Sequence, residues 1–152
     1  MSNIFHLPNG ITGVCDERPG TGKVVMQMFI KSGSVDEKPE EAGLTFLTQF
    51  SAFGGTSTRG LDEISETIES KGGDLGGSSG RAETQFTLVT LARHVQESFG
   101  VLTDVVRNPV FDVTELEKDR KQILQVLASK GQKPGAKAGA KFIETAFAGQ
   151  AA

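Results

Sequence analysis

The 152-residue chain has no tryptophan and no tyrosine. Aromatic packing therefore falls to ten phenylalanines, whose rings carry no polar handle. A single cysteine, Cys15, excludes an intrachain disulfide and any zinc site built on several thiolates. No apolar run approaches the ~18 residues of a membrane span. The opening MSNIFHLPNG has neither the charged-then-apolar pattern of a signal peptide nor an Arg- and Ser-rich transit pattern. As written the chain reads as cytoplasmic; the other reading is a mitochondrial or periplasmic presequence removed before the numbering begins.

An overall basic charge is lacking too: the net charge is -3, which gives no global reason to expect nucleic acid as a partner. The charge is unevenly spread. Residues 1–117 hold nine Lys and Arg against seventeen Asp and Glu. Residues 118–141 hold seven basic residues (Lys118, Arg120, Lys121, Lys130, Lys133, Lys137 and Lys141) against one acidic. That stretch reads as a solvated helical face with cations near helix C-termini, or as a docking surface for an acidic partner. With 37% apolar and 23% charged residues, the composition is that of a globular protein, and 152 residues suit one domain better than two.

Asn3–Leu7 and Ile11–Asp16 flank Pro8-Asn9-Gly10, a turn between two strand-like runs. Lys23–Lys31 alternates, with Val24, Met26, Met28 and Ile30 on one face and Val25 and Phe29 on the other, as a central strand covered on both sides would. The GTGK at Gly20–Lys23 is no phosphate loop: it lacks the upstream glycine and the following Ser or Thr, and it leads into a strand. Helical spacing runs through Glu41–Phe53, closed by Gly54-Gly55, and through Leu61, Ile64 and Ile68, closed by Gly72-Gly73. Asp74–Ser79 is extended and glycine-rich, and Glu83–Ala92 is a clear β run. Val95, Phe99, Leu102 and Val106 form a helical stripe ended by Pro109. Asp112 and Glu115 then open a long helix in capping-box fashion, and a last helix is expected over Ala136–Phe147. The pattern is α+β: a mainly antiparallel sheet of about five strands packed with helices on one face.

Several segments carry a resemblance when taken in order. They are LPNGIT, SGSVDEKPEEAGLTFL, FGGTSTR, the GGDL of Gly72–Leu75, NPVFDVTELEKDR of Asn108–Arg120, and the ETAF of Glu144–Phe147. Together they resemble the pitrilysin/insulinase-type zinc peptidases, nearest the processing-peptidase branch with its mitochondrial subunits, respiratory-complex core proteins and bacterial homologues. The resemblance implies that residues 1–152 are the N-terminal portion of a processing-peptidase-like domain that continues beyond them.

In active members the helix matching Glu41–Phe53 carries His-x-x-Glu-His. Two imidazoles at i and i+4 bind zinc and the Glu between them takes a proton from the metal-bound water, while a third ligand, a Glu, comes from the long later helix. Here the histidine positions hold Phe46 and Phe50, the base position holds Gln49, and the third-ligand position holds Val126. Benzyl and isopropyl groups offer zinc no lone pair, and an amide is no base near neutral pH. The resemblance thus implies no zinc or other cofactor in this chain, and Phe46 and Phe50 should pack as core with Val126. His6 and His94 lie far apart in sequence and read as a strand-end and a helix-start residue.

Family members often work as pairs in which one subunit has lost the motif and helps to hold the peptide. The expectation is a non-catalytic subunit, paired with a zinc-bearing paralogue, that contributes chamber wall and peptide-binding surface; basic peptides would suit its acidic excess. A purely structural scaffold is the alternative. Family substrates add to a sheet edge where this chain has Gly76, Gly77, Ser78, Ser79 and Arg81. Bare glycine backbone there would let a strand approach, although a flexible turn reads equally well. Arg81 and Thr84 match the family; Gly76-Gly77 replaces its usual Asn-Ala, and Ala82 stands at a commonly acidic position.

Overall fold

The computed structural model describes residues 2–131 and 134–146. Pro8-Asn9-Gly10 turns the chain between β1 (Ser2–His6) and β2 (Thr12–Asp16), with Gly10 at φ 88° in the left-handed region that glycine reaches without strain. The two strands pair antiparallel from Ser2–Asp16 to His6–Thr12 and make a sheet of their own. A second antiparallel sheet has the order β3 (Lys23–Ile30), β5 (Thr84–Leu91), β4 (Asp74–Ser79).

Two expectations are corrected here. The strands divide two and three rather than joining in one sheet, and β3 lies at an edge, not at the centre. Its alternation misled because both faces are apolar while helices cover only one. Val24, Met26 and Met28 face that side, in register with Thr90, Leu88 and Phe86, whereas Val25 and Phe29 remain 60% and 53% exposed. The central strand is β5, in which Thr84, Phe86, Leu88 and Thr90 are buried in strict alternation.

Helix α1 (Leu44–Ser51) starts later than its periodicity suggests, because Glu41 closes a separate 3-10 turn and Gly43, at φ 93°, breaks the chain direction. Gly43 has no side chain with which to cap the helix. The Glu37 carboxylate does so from a distance, accepting the amide hydrogens of Gly43 at 2.8 Å and Thr45 at 2.7 Å. Hydrogen bonding from Thr45, then from Gly43, holds the Glu37 carboxyl below its ordinary range. A 3-10 turn, Ala52–Gly54, ends this unit. Then come α2 (Leu61–Glu69), α3 (Val95–Arg107), α4 (Val113–Gly131) and α5 (Pro134–Ala146). Asp112 opens α4 by accepting the amide hydrogens of Thr114 and Glu115, as its spacing predicts. Phe147, expected in the last helix, lies outside the described residues.

The core is formed where α2, α3 and the end of α1 meet the covered face of β5. It consists of Ala52, Ile64, Ile68, Phe86, Leu88, Val101, Leu102 and Val105. Each large side chain there contributes about 1.5–3 kcal/mol by leaving water. The α3 stripe is rotated from the expected one: Phe99 is 45% exposed, while Ser98 and Asp104 are buried. Both polar groups are satisfied, Ser98 by Thr90 at 2.9 Å, so burying them carries little penalty.

Asp104 ties together the loop between α1 and α2. Its Oδ2 accepts hydrogen bonds from the Thr56 and Thr58 hydroxyls, both at 2.7 Å, and from Arg59, while Oδ1 accepts from Asn108 Nδ2 at 2.8 Å. Bonds from Asn108, Thr56 and Thr58, followed by Arg59, hold the Asp104 carboxyl far below the carboxylate range. Gly55, Ser57 and Thr56 also pair by backbone with residues 108–110. Thr56→Val removes one charge-assisted hydrogen bond in a buried setting and should cost about 1.5–3 kcal/mol in urea melts. A carboxyl depressed on folding stabilises the native state above its unfolded value of about 3.9 and loses that contribution as pH falls below it. Urea midpoints measured from pH 5 down to pH 2 should therefore drop more steeply for the natural chain than for Asp104→Asn.

Candidate functional site

The glycine at the start of α1 and the Glu37 clamp fix the helix that carries Phe46, Gln49 and Phe50. Residues three and four apart share a helix face, and Phe46 and Phe50 do so with ring centroids 6.3 Å apart and planes at 23°. One turn on, Phe53 meets Phe86 with centroids 5.7 Å apart. This side of α1 looks into a cavity of about 790 Å³ bounded by β4, the start of α2 and the first turns of α4. Leu75 and Gly77 come from β4, Leu61 and Asp62 from α2, and Glu115 and Asp119 from α4.

The expectation that Phe46 and Phe50 belong to the core is corrected. Phe46 is 42% exposed and Phe50 is half-buried, and neither belongs to the core cluster. Their rings cover each other and line the cavity, because the helices that would close over this end of α1 leave it open. The residues that α1 does bury are both polar, Gln49 at 4% exposure and Ser51 at 5%. Val126, on the exposed side of α4 at 44% exposure, is not among the residues lining the cavity.

Gln49 depends on Gly77. In the register of β4 with β5, Leu75, Gly77 and Ser79 face the helices, and Asp74, Gly76 and Ser78 face the opposite side. A Cβ at Gly77 would stand 2.6 Å from Gln49 Nε2 and 2.7 Å from the Gln85 carbonyl oxygen, so the amide lies across bare backbone. A Cβ at Gly76 would meet nothing within 4 Å. The two glycines, equivalent in sequence, thus play different parts: one admits α1 and the other leaves the far face bare. Among the described residues β4 pairs only with β5, so its other edge is open. Arg81 lies in the bend beyond β4, where its carbonyl accepts the Val35 amide hydrogen at 2.9 Å.

The donor set does not fit zinc. Phe46, Phe50 and Val126 provide only carbon, Gln49 provides a neutral amide, and no described group of three or more His, Cys, Asp or Glu is placed to hold a metal ion. His6 ends β1 against the Thr12 hydroxyl, and His94 directly precedes α3. Lys118, Arg120 and Lys141 of the basic stretch pair within their own helices with Glu115, Glu117 and Glu144. Among the described residues no helix is long and apolar enough to cross a membrane. The cavity with its carboxylate rim and the polar burial of Gln49 were not legible from periodicity, which marks apolar faces only.

The antiparallel sheet with helices on one face is the framework that this chain shares with known proteins. Residues 14–151 match the family model described as Insulinase (Peptidase family M16), and the chain belongs to that family. An "Uncharacterized zinc protease" from Rickettsia bellii is 29% identical over 97% of this chain and 36% of its own length. A "Probable mitochondrial-processing peptidase subunit alpha-2" from Arabidopsis thaliana is 31% identical over 77% of this chain and 23% of its own. The fold is similar to that of a peptidase M16 inactive domain from Pseudomonas fluorescens, with a TM-score of 0.84 and 17% identity over 95% of this chain and 35% of that one. The chain spans about a third of the length of the first curated relatives it matches.

Gly77→Ala should expel Gln49 from its place over β4 and lower the urea midpoint, whereas Gly76→Ala should leave the midpoint nearly unchanged. Phe86→Ala should cost about 3–5 kcal/mol and Phe46→Ala about 1 kcal/mol or less, since only the first removes core volume. Equal losses from the two phenylalanines would contradict the open cavity.

Proposed function

We propose that this chain forms part of a non-catalytic subunit of a processing-peptidase-type assembly. It pairs with a zinc-bearing paralogue and contributes chamber wall and peptide-binding surface rather than bond cleavage. The observation that carries the reading is the replacement of every functional group at the metal-site positions: Phe46 and Phe50 for the imidazoles, Gln49 for the base and Val126 for the third carboxylate. One lost ligand could be supplied by a neighbour; four leave neither a metal ligand nor a group to accept a proton from water. The chain therefore binds no catalytic zinc.

The peptide surface is the open edge of β4. Gly76, Gly77 and Ser78 present backbone with little or no side chain, which suits an added strand that takes its affinity from main-chain hydrogen bonds. Arg81 follows the end of β4 in the bend that leads to β5. The acidic excess over residues 1–117 favours a basic peptide by attraction that salt weakens.

Two measurements test the reading. Metal analysis of the purified protein after exposure to zinc should find well under one equivalent, and near-stoichiometric zinc would overturn it. The full-length protein should cleave no peptide alone and should restore cleavage when mixed with a paralogue that retains His-x-x-Glu-His. A paralogue fully active without it would point to a structural scaffold instead.

A further inference from the structure

The cavity beside α1 has a chemistry of its own. Its floor carries the stacked Phe46 and Phe50, and the carboxylates of Asp62, Glu115 and Asp119 line it from two other helices. Among the described residues no Lys, Arg or His lines it; Glu115 is paired with Lys118 of its own helix at 2.7 Å, while Asp62 and Asp119 form no ion pair among the described residues. Gln49 lines the same space. The residue as a whole is 4% exposed, its side chain makes no hydrogen bond among the described residues, and its amide borders the cavity; the fully buried side-chain oxygen without a partner on the same helix is Ser51 Oγ. Buried amides are ordinarily satisfied, and one directed into a cavity calls for a polar guest.

Aromatic faces attract cations, carboxylates attract them further, and an apolar wall favours an aliphatic stem. All three features converge here. The position of the cavity supplies the carrier. Leu75 and Gly77, which line it, project to the helix side of β4. A strand added at the open edge of β4 continues the pleat, so every second side chain of that strand projects to the same side.

We propose that the space left at the degenerate metal site is a specificity pocket for one arginine or lysine side chain of a peptide seated along β4. This rests on the peptide-surface reading above and adds to it a site: aromatic carbon and a carboxylate rim in place of a metal. The guest's stem lies along Phe46 and Phe50 and its cationic head meets the Asp62, Glu115 and Asp119 side. The Gln49 amide oxygen accepts one of its hydrogens.

The test uses the full-length protein and fluorescence anisotropy with labelled extended peptides that differ at one central position: arginine, citrulline or norleucine. Arginine should bind at least about tenfold tighter than citrulline and norleucine at low salt, with the margin shrinking as salt is added. Asp62→Asn with Asp119→Asn should remove most of the margin between the arginine and citrulline peptides. Phe46→Leu keeps the apolar wall but removes the π face, and should reduce arginine binding by about two- to fivefold. Equal affinity for the three peptides would overturn the pocket while leaving the β4 edge as a peptide surface. Failure of all three to bind would overturn both. Because the peptide series is measured on the natural chain, the outcome does not depend on the substituted proteins folding.

Discussion

A single carboxylate holds the architecture in place. Asp104 sits on α3 yet gathers Thr56, Thr58 and Arg59 from the loop that joins α1 to α2, and Asn108 from the end of its own helix. Four donors around one buried acid keep it ionised, and the ionised form binds them strongly. The loop has no apolar side chains with which to anchor itself. Besides Asp104, the loop is held by backbone pairing of Gly55, Thr56 and Ser57 with residues 108–110 and by the apolar contacts of Ala52, Ile64 and Ile68. The cavity lies between those two helices, so its shape is inherited from the network some distance away.

Within that frame, α1 carries carbon and a neutral amide on the face where the family resemblance would place imidazoles and a carboxylate. Two imidazoles and a carboxylate would make a face whose energy lies in metal coordination. Two benzyl rings and an amide make one whose energy lies in stacking and close approach. The face is nevertheless not core, because Phe46 and Phe50 cover each other while space remains open beside them. Gln49, by contrast, is buried as deeply as the core, and it fits only because residue 77 lacks a side chain.

Much of this is legible in the residues alone. The start of α4 follows from the Asp112 cap and the limits of β4 from the flanking glycines, which act locally and so leave local marks. What could not be read depends on partners distant in sequence. β3 alternates like an interior strand, yet its exposure depends on where β5 inserts. Ser98 and Asp104 break the apolar stripe of α3 and are buried all the same, since Thr90 and the threonine loop meet them. Phe99 looks like core and faces outward for the same reason.

The unpaired border of β4 has one more consequence. Proteins usually guard such borders with lysines, prolines or a bulge so that copies do not zip together. The run from Gly76 to Ser79 has none of these, and Asp74 is the strand's sole charge. Against a second copy of the chain, that run is a bare template for edge-to-edge pairing.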